Sequence, residues 1–236
     1  ITQQWIDDAI AEHGEDSPYV QSRVHARFPA VGDDVLIPLA WVEAARHREL
    51  SESDEPYEAG LDVARTGGDE NSLCIRRGSK IVAQYHWTGL DTMQTVGKVK
   101  HILADFAQLA ALKVHVIGVG AGVADRLREE GYPVIDVNVA QRSSSPERFA
   151  NLRCELWWSL RERFREGAIA GLTDEKTIGQ LASIRYRYDS RHTHPLIESK
   201  EDMRKRGLRS PDRAEAVMLA FYEQPSAITS IDVVEH

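Results

Sequence analysis

The sequence predicts an α/β domain built on a five-stranded mixed sheet with helices on both sides. Apolar segments at 58–67, 72–78 and 80–87 follow one another with short links, which is typical of an antiparallel meander. A strand, a glycine-rich turn and a helix then lead into another strand, which is typical of a parallel pair with a right-handed crossover. The segments after that pair have helical spacing.

The elements of the sheet follow in order along the chain. The first strand, "EAGLDVARTG", ends in a glycine turn, and Gly78-Ser79 joins the next two strands. An apolar stripe predicts a helix over 92–111. The fourth strand, "KVHVIGVG", precedes the helix "AGVADRLREEG", and "PVIDVNV" is the fifth strand.

Helices are predicted over 143–167 and 174–184, and the alternating segment 185–200 predicts a hairpin. A last helix is predicted over 210–223, with Ser210 as its N-cap and Pro211 in its first position. This order of elements is that of the ribonuclease H-like fold. Residues 1–55, with two short helical segments ending in the acidic "SESDEPYE", are expected to be a lead-in and linker, 56–224 the compact domain, and 225–236 a C-terminal tail.

Composition limits the possible functions. The net charge of −8 argues against a generally basic coat for nucleic acid. No apolar run is long enough to span a bilayer, and no secretory signal is present. Cys74 and Cys154 make neither a disulfide framework nor a zinc cluster, so we expect both in the core of a protein from a reducing cytoplasm.

Basic residues are concentrated near the C-terminal end of the chain. Residues 185–213 contain nine Lys or Arg against five Asp or Glu, a local charge of +4 in an acidic chain. This cluster is either a solvated face or a contact surface for a polyanion such as DNA. The candidate DNA-binding residues are Arg185, Arg187, Lys200, Arg204, Lys205, Arg206 and Arg209.

Two acids stand where a carboxylate has a special role or cost. Asp62 interrupts the apolar strand "AGLDVA", where a carboxylate needs a compensating metal ion, Arg or backbone partner. Asp212 lies in the first turn of the last predicted helix, where it either stabilises the helix dipole or faces a metal, and Glu215 lies close to the same face. Carboxylates that converge on two divalent ions cleave phosphodiesters, and their hard oxygens suit Mg²⁺ or Mn²⁺.

Four blocks of the chain resemble the nuclease domain of the large terminase subunit of tailed bacteriophages. They are "GLDVARTGGDENSL", "VHVIGVGAGVADRL", "RFANLRCELWWSLRERFREGAI" and "IESKEDMRKRGLRSPDRAEAVMLAF", in the family's order. The resemblance covers about residues 56–223. It implies a metal-dependent endonuclease that cuts concatemeric double-stranded DNA during genome packaging.

The resemblance also implies the catalytic and metal-binding residues. The family's first and last catalytic Asp correspond to Asp62 and Asp212. Its middle Asp precedes the first glycine of the "GVGAG" turn by three residues, and that position is His115 here. An imidazole brings no negative charge and is a poor Mg²⁺ ligand, although it can bind Mn²⁺. Either His115 substitutes as ligand, or Asp125 contributes instead, or the nuclease is weakened.

The family further implies a setting for the chain. No ATP-binding G-x-x-x-x-G-K-[ST] motif is present, so the ATPase motor is expected to precede residue 1. The implied partners are double-stranded DNA, the portal protein and the small terminase subunit. The domain is expected to be a monomer when isolated and to act in the host bacterial cytoplasm.

Other functions remain possible from the residues alone. The "GVGAG" turn before a helix imitates a dinucleotide site, but Val123 stands where G-x-G-x-x-G requires its third glycine. The domain is alternatively a docking module of the packaging motor with a nuclease crippled by His115. A resolvase or transposase of the same fold is a further alternative, and it would prefer branched DNA or transposon ends.

Overall fold

The computed structural model describes residues 2–15, 17–26, 34–64 and 69–224. Within them the chain forms nine helices and seven strands. The helices are α1 (Gln3–His13), α2 (Pro18–Arg23), α3 (Leu39–His47), α4 (Thr92–Leu103), α5 (Gly120–Glu129), α6 (Leu152–Arg165), α7 (Glu175–Ser183), α8 (Lys200–Lys205) and α9 (Asp212–Ala220). The strands are β1 (Tyr57–Asp62), β2 (Asn71–Arg77), β3 (Lys80–Trp87), β4 (Leu109–His115), β5 (Val134–Val137), β6 (Tyr186–Tyr188) and β7 (Pro195–Ile197).

Five strands form the central sheet in the order β3-β2-β1-β4-β5. The strands β1, β2 and β3 are antiparallel, whereas β4 is parallel to β1 and β5 is parallel to β4. The predicted fold class is therefore confirmed as a mixed sheet of the ribonuclease H type flanked by helices. An antiparallel half does not match the two mononucleotide-binding halves of a dinucleotide fold.

The two faces of the sheet are covered by different helices. Side chains alternate along a strand, so Leu61, Leu73 and Val114 share one face, where they pack with Val123 of α5. The alternate positions of the same strands face α9, which contacts β1 and β2 extensively. Asp62 belongs to this second set, and the face under α9 is therefore the one that carries the polar groups.

The lead-in segment packs onto the rest of the chain. Val20, Leu36 and Val42 are buried in the same apolar cluster as Ile178 of α7. The Leu36 amide donates to the carbonyl of Ile184 at 2.9 Å. Residues before β1 therefore share a core with the compact domain, and their expected role as a connection to a motor stays a prediction.

The predicted helix over 92–111 is too long. Helix α4 ends at Leu103, and β4 begins at Leu109, four residues before the predicted start of that strand. Gln108 has a φ of 64°, in the left-handed region, which no helix continues through. The chain turns there and enters the sheet early.

The helix predicted over 143–167 begins late, at Leu152. The Asn151 side chain caps it by accepting from the Cys154 amide. Upstream, the Ser143 hydroxyl and the Ser144 amide donate to the Glu155 carboxylate at 2.7 and 2.8 Å. The Ser145 amide also donates to the Ser143 hydroxyl at 2.9 Å, and such a local side-chain bond competes with helical structure.

At the last helix the predicted N-cap is wrong, because Pro211 occupies the N-cap position, without a side-chain hydrogen bond, and the first helical residue is Asp212. The hairpin of β6 and β7 is confirmed, whereas α8 is an additional short helix.

Cys74 and Cys154 are buried, as predicted. The glycine turn at the end of the first predicted strand and the tail 225–236 lie outside the described residues. No helix in the described ranges is long and apolar enough to cross a membrane.

Candidate metal centre

The centre begins where two parallel strands end side by side. Asp62 is the last residue of β1 and is 4% exposed, and His115 is the last residue of β4. His115 Nδ1 lies 3.0 Å from Asp62 Oδ1. An ionised carboxylate only accepts hydrogen bonds, so Nδ1 is the donor, and in the tautomer with that proton the lone pair is on Nε2.

Helix α9 adds two more acids to the centre. Asp212 and Glu215 lie in its first turn, and both are buried. Helix α9 brings these acids close to Asp62 because it lies directly on β1 at Gly60. A Cβ at Gly60 would lie 2.3 Å from the Ala216 carbonyl oxygen and the Ala220 amide. Only glycine permits this approach.

The position of α9 is fixed at both ends. The Gln180 side-chain oxygen accepts from the amides of Arg213 and Ala214, at 3.0 and 3.1 Å, in place of an N-cap side chain. At the other end, Arg76 Nε and Lys113 Nζ donate to the Ala220 carbonyl at 2.7 and 2.9 Å. These bonds tie both ends of α9 to neighbouring elements.

A further group of charged residues holds Asp212 itself. The Glu70 amide donates to Asp212 Oδ2 at 3.0 Å. The Glu70 carboxylate accepts two bonds from Arg213, at 2.8 and 3.0 Å. Arg213 also contacts both Asp174 oxygens, at 2.9 and 3.1 Å. We call Glu70, Arg213 and Asp174 the arginine clamp. No sequence pattern predicts this clamp, because its residues lie far apart in the chain.

Lys200, the first residue of α8, inserts its ammonium group among the acids. Its Nζ lies 2.6 Å from Glu215 Oε2, 3.8 Å from Asp212 Oδ1 and 3.9 Å from Asp62 Oδ2. Arg153 NH2 lies 3.8 Å from the other Glu215 oxygen. Lys200 was predicted as a surface contact to DNA, and the structure instead places it inside the candidate centre.

Burial raises the pKa of each of these acids, and the charges around each one either add to that effect or oppose it. Burial would raise the pKa of Asp62, but the hydrogen bond from His115 and the charge of Lys200 outweigh it and hold this pKa below its usual value. Burial and the nearby Asp62 carboxylate raise the pKa of Asp212 to about 6. Burial also raises the pKa of Glu215. Burial lowers the pKa of Lys200, but its acidic neighbours raise it more.

The donor set fits a divalent cation. Asp62, His115 and Glu215 each offer one ligand atom within 4.8 Å of the others. His115 Nε2 is buried and has no hydrogen-bond partner among the described residues, as expected of a nitrogen reserved for a metal. Carboxylate oxygens suit Mg²⁺ and Mn²⁺, and the imidazole favours Mn²⁺ of the two. Glu215 was noted in the sequence only as a neighbour of Asp212, and the structure adds it to the site.

The glycine turn after β4 forms one side of this centre. Gly118 has a φ of 79°, and a Cβ at Gly120 would lie 1.9 Å from the His115 carbonyl oxygen. The turn therefore folds back over His115 as closely as a backbone can. Asp125 lies farther along α5, where its exposed carboxylate pairs with Arg128 at 2.9 Å. The alternative in which Asp125 replaces the missing acid is therefore not supported by its position.

Most residues of the predicted basic surface form ion pairs with acids of the same chain. Arg206 contacts Glu198 through two nitrogens and also donates to the Ser183 carbonyl, so it holds the fold together. Other members pair with acids close by: Arg185 with Asp34, Lys205 with Asp202 and Glu201, and Arg209 with Glu12. Arg187 and Arg204 are exposed and pair with no acid that the structure describes.

Comparison of this structure with solved ones identifies the fold. The nuclease domain of the large terminase subunit gp2 of bacterial virus Sf6 has a TM-score of 0.70 at 16% identity, covering 81% of this chain and 100% of that domain. The large terminase nuclease from thermophilic phage G20c with bound magnesium has a TM-score of 0.60 at 16% identity, covering 80% and 97%. The resemblance read from the sequence is thus confirmed as a likeness of fold.

Several of these similar structures contain metal ions. A variant of the Sf6 domain was solved with manganese and beta-thujaplicinol, and the G20c nuclease was also solved with zinc, with a TM-score of 0.52 in that case. No protein-family model and no curated protein sequence matches the chain. The likeness therefore concerns three-dimensional structure at low sequence identity.

Proposed function

We propose that residues 56–224 form a divalent-metal-dependent DNA endonuclease, the nuclease domain of a terminase large subunit. The observation that carries the proposal is the convergence of Asp62 and His115, at the ends of β1 and β4, with Glu215 of α9. Asp212, also on α9, joins them around the Lys200 ammonium group, and the three acids are buried. The fold shared with metal-bound nuclease domains supports it. The substrate would be concatemeric double-stranded DNA.

The reaction is hydrolysis of a phosphodiester: water adds to phosphorus and the bond to the leaving oxygen breaks. Asp62, Asp212, Glu215 and His115 would hold two ions, Mg²⁺ or Mn²⁺. When bound, such ions activate the attacking water and stabilise the negative charge that develops on phosphate oxygens. The chain itself keeps Asp62 ionised and orients its carboxylate through His115. Lys200 supplies a positive charge at the same place.

DNA would be held mainly through its phosphates. Arg187 and Arg204 are the members of the basic group best placed for this, since they are exposed and pair with no described acid. Contacts to phosphate carry little sequence information and weaken as salt rises. We expect the double variant Arg187→Ala with Arg204→Ala to bind DNA more weakly and with a smaller salt dependence. An unchanged affinity and salt slope would remove this surface from the proposal.

The rest of the assignment follows from this role. Residues 1–55 would lead in from an ATPase motor, and 225–236 would form a tail. The portal protein and the small terminase subunit would be partners in the motor. The site of action would be the host bacterial cytoplasm.

The test is cleavage of a supercoiled plasmid by this chain in Mn²⁺, in Mg²⁺ and in chelator. Asp62→Asn removes one ligand charge, and Asp125→Asn is the matched control because that acid is exposed and outside the centre. We expect metal-dependent nicking that is lost in Asp62→Asn and kept in Asp125→Asn. Absence of cleavage from the folded chain in every metal would contradict the proposal.

The second candidate is a docking module with a weakened nuclease. Two observations favour it: His115 stands where the resembling family has an acid, and Lys200 already places a positive charge among the remaining acids. Gain of cleavage in His115→Asp, from an inactive unsubstituted chain, would support this candidate. A resolvase or transposase of the same fold would instead cut branched DNA or transposon ends faster than linear duplex.

A further inference from the structure

The hairpin of β6 and β7 lies beside the candidate centre. The strand β7 ends at Ile197, and Lys200 follows three residues later. Three residues span at most roughly 10 Å. The base of the hairpin is therefore close to the ammonium group among the acids, and Tyr188, which pairs with Pro195, lies farther towards the tip.

A row of aromatic rings runs along this hairpin to its tip. Tyr188 is 44% exposed, and its ring centroid lies 6.4 Å from that of His192 and 5.9 Å from that of Tyr186. Tyr186 packs edge-on against Trp158 at 5.4 Å, and the Arg161 guanidinium covers Trp158 at 4.8 Å. The outer two rings are exposed, while the inner members hold the row against α6.

Hydrogen bonds within the turn at the tip fix the backbone around His192. His192 has a φ of 54°, and its amide donates to the Asp189 carbonyl at 2.9 Å. The Asp189 carboxylate accepts from the Thr193 amide and hydroxyl, at 2.8 and 2.9 Å. The tip is thus closed by its own hydrogen bonds, and the two exposed rings are presented together.

The exposed side of the hairpin carries positive charge. Both acids of the hairpin are engaged internally, Asp189 by its turn and Glu198 by Arg206. Arg187 and Arg191 are exposed and pair with no acid among the described residues. Exposed rings next to unpaired guanidinium groups match a strand of nucleic acid, whose bases stack and whose phosphates are negative.

We propose that the hairpin binds an unpaired segment of DNA, with a base stacked on Tyr188 and His192 and phosphates held by Arg187 and Arg191. This inference rests on the proposed nuclease function and deepens it. The base must be unpaired or terminal, since bases inside a duplex are already stacked on both faces. The preferred ligand is therefore DNA with a single-stranded overhang, such as a cut or splayed end.

The test is equilibrium binding in chelator, where no metal-dependent cleavage occurs. The ligands are a blunt duplex and the same duplex with an overhang that carries 2-aminopurine, whose fluorescence is quenched by stacking. Tyr188→Ala removes the outer ring, and Tyr188→Phe keeps it. Trp5→Ala is the matched control, because Trp5 is a comparably exposed aromatic residue on α1.

We expect the unsubstituted chain, Tyr188→Phe and Trp5→Ala to favour the overhang and quench the probe. Tyr188→Ala should lose about tenfold in affinity for the overhang, the effect of one stacked base, and little for the blunt duplex. The inference would be overturned if Tyr188→Ala lost affinity equally for both ligands or lost none. In the second case the exposed rings would be a contact for a protein partner. Plasmid cleavage with an unchanged overhang preference in Tyr188→Ala would refute this inference alone. If the unsubstituted chain neither cleaves nor binds DNA, the proposed function is refuted as well.

Discussion

Lys200 Nζ lies 2.6 Å from Glu215 Oε2, inside the group of acids that would hold a metal ion. The same ammonium group lies within 4 Å of Asp62 and Asp212. A divalent cation needs the same carboxylate oxygens, so the metal ion and the Lys200 ammonium group compete for them. The chain therefore carries its own counter-ion for a buried acidic cluster, and that counter-ion must shift when a metal binds.

Replacing Lys200 tests this competition. Lys200→Met keeps the length of the side chain and removes the charge, which leaves buried acids unpaired. We expect a loss of about 3 kcal/mol in the free energy of unfolding in chelator, together with tighter binding of Mn²⁺. Chemical denaturation and titration calorimetry measure the two effects. Lys205→Met, at an exposed position of the same helix, should change neither. Unchanged Mn²⁺ affinity in Lys200→Met would contradict the competition.

His115 should set the metal preference. His115→Asp replaces a nitrogen ligand by a carboxylate, which Mg²⁺ prefers, so the ratio of cleavage rates in Mg²⁺ and Mn²⁺ should rise by about tenfold or more. His115→Asn is the control, because it has a similar shape and no charge. A ratio that rises equally in both variants would show that the added charge is not the cause.

The arginine clamp should position Asp212. Arg213→Lys keeps the charge but cannot form the paired bonds to Glu70, and it frees the segment whose amide holds Asp212. We expect Mn²⁺ to bind about 10- to 100-fold more weakly, as when other partners of metal ligands are changed. Arg206→Lys removes an equivalent pair outside the centre and should leave Mn²⁺ binding intact. Equal calorimetric affinities for both variants would argue against a positioning role.

Gly60 should be essential for the approach of α9. In Gly60→Ala the new Cβ meets helix backbone at 2.3 Å, and the resulting overpacking should cost about 3 kcal/mol of unfolding free energy. Gly97→Ala on α4 is the matched control, because a Cβ there has no atom within 4 Å. That variant should be stabilised by up to about 1 kcal/mol through helix propensity. Thermal or urea unfolding compares the two, and a tolerated Gly60→Ala would refute the close contact.

Buried histidines should make the fold sensitive to acid. Burial lowers the pKa of His13 from 6.5 to about 4, and burial with the charge of Arg213 lowers the pKa of His86 equally. As pH falls from 6.5 towards 4, these histidines take up protons in the unfolded chain but not in the folded one, so their contribution to stability falls across this window and levels off below it. His13→Gln should flatten the decline measured by urea unfolding at several pH values. The control His101→Gln, at an exposed position, should leave it unchanged.

Much of the fold could be predicted from local patterns. Alternation of apolar residues places the five sheet strands, because their two faces pack against different helices. The end of α4 was misjudged because Gln108 is left-handed, and the start of α6 because the preceding serines bond to Glu155 instead of continuing the helix. The backbone conformation of one residue, or a few side-chain hydrogen bonds, can decide where a helix begins or ends.

The candidate centre was only partly predictable. Asp62 and Asp212 stand out because an acid in a buried strand or at a helix start requires a reason. Lys200 appeared to belong to a basic surface, because nothing in its neighbourhood along the chain signals that it folds back among acids. Whether an ion pair is internal or solvated depends on tertiary contacts, which a charge pattern does not contain. The assignments of catalytic and metal-binding residues remain predictions.

The fastening of α9 at both ends has a mechanical consequence. Axial slippage of this helix by one turn would break the Gln180 bonds at one end and the Arg76 and Lys113 bonds at the other, all at once. Tension applied to the chain after Ala220 therefore reaches anchors in the sheet before it reaches Asp212. Pulling on the end of the domain should therefore not change the spacing of the acids. The element free to adjust at the centre is the short helix α8, which carries Lys200.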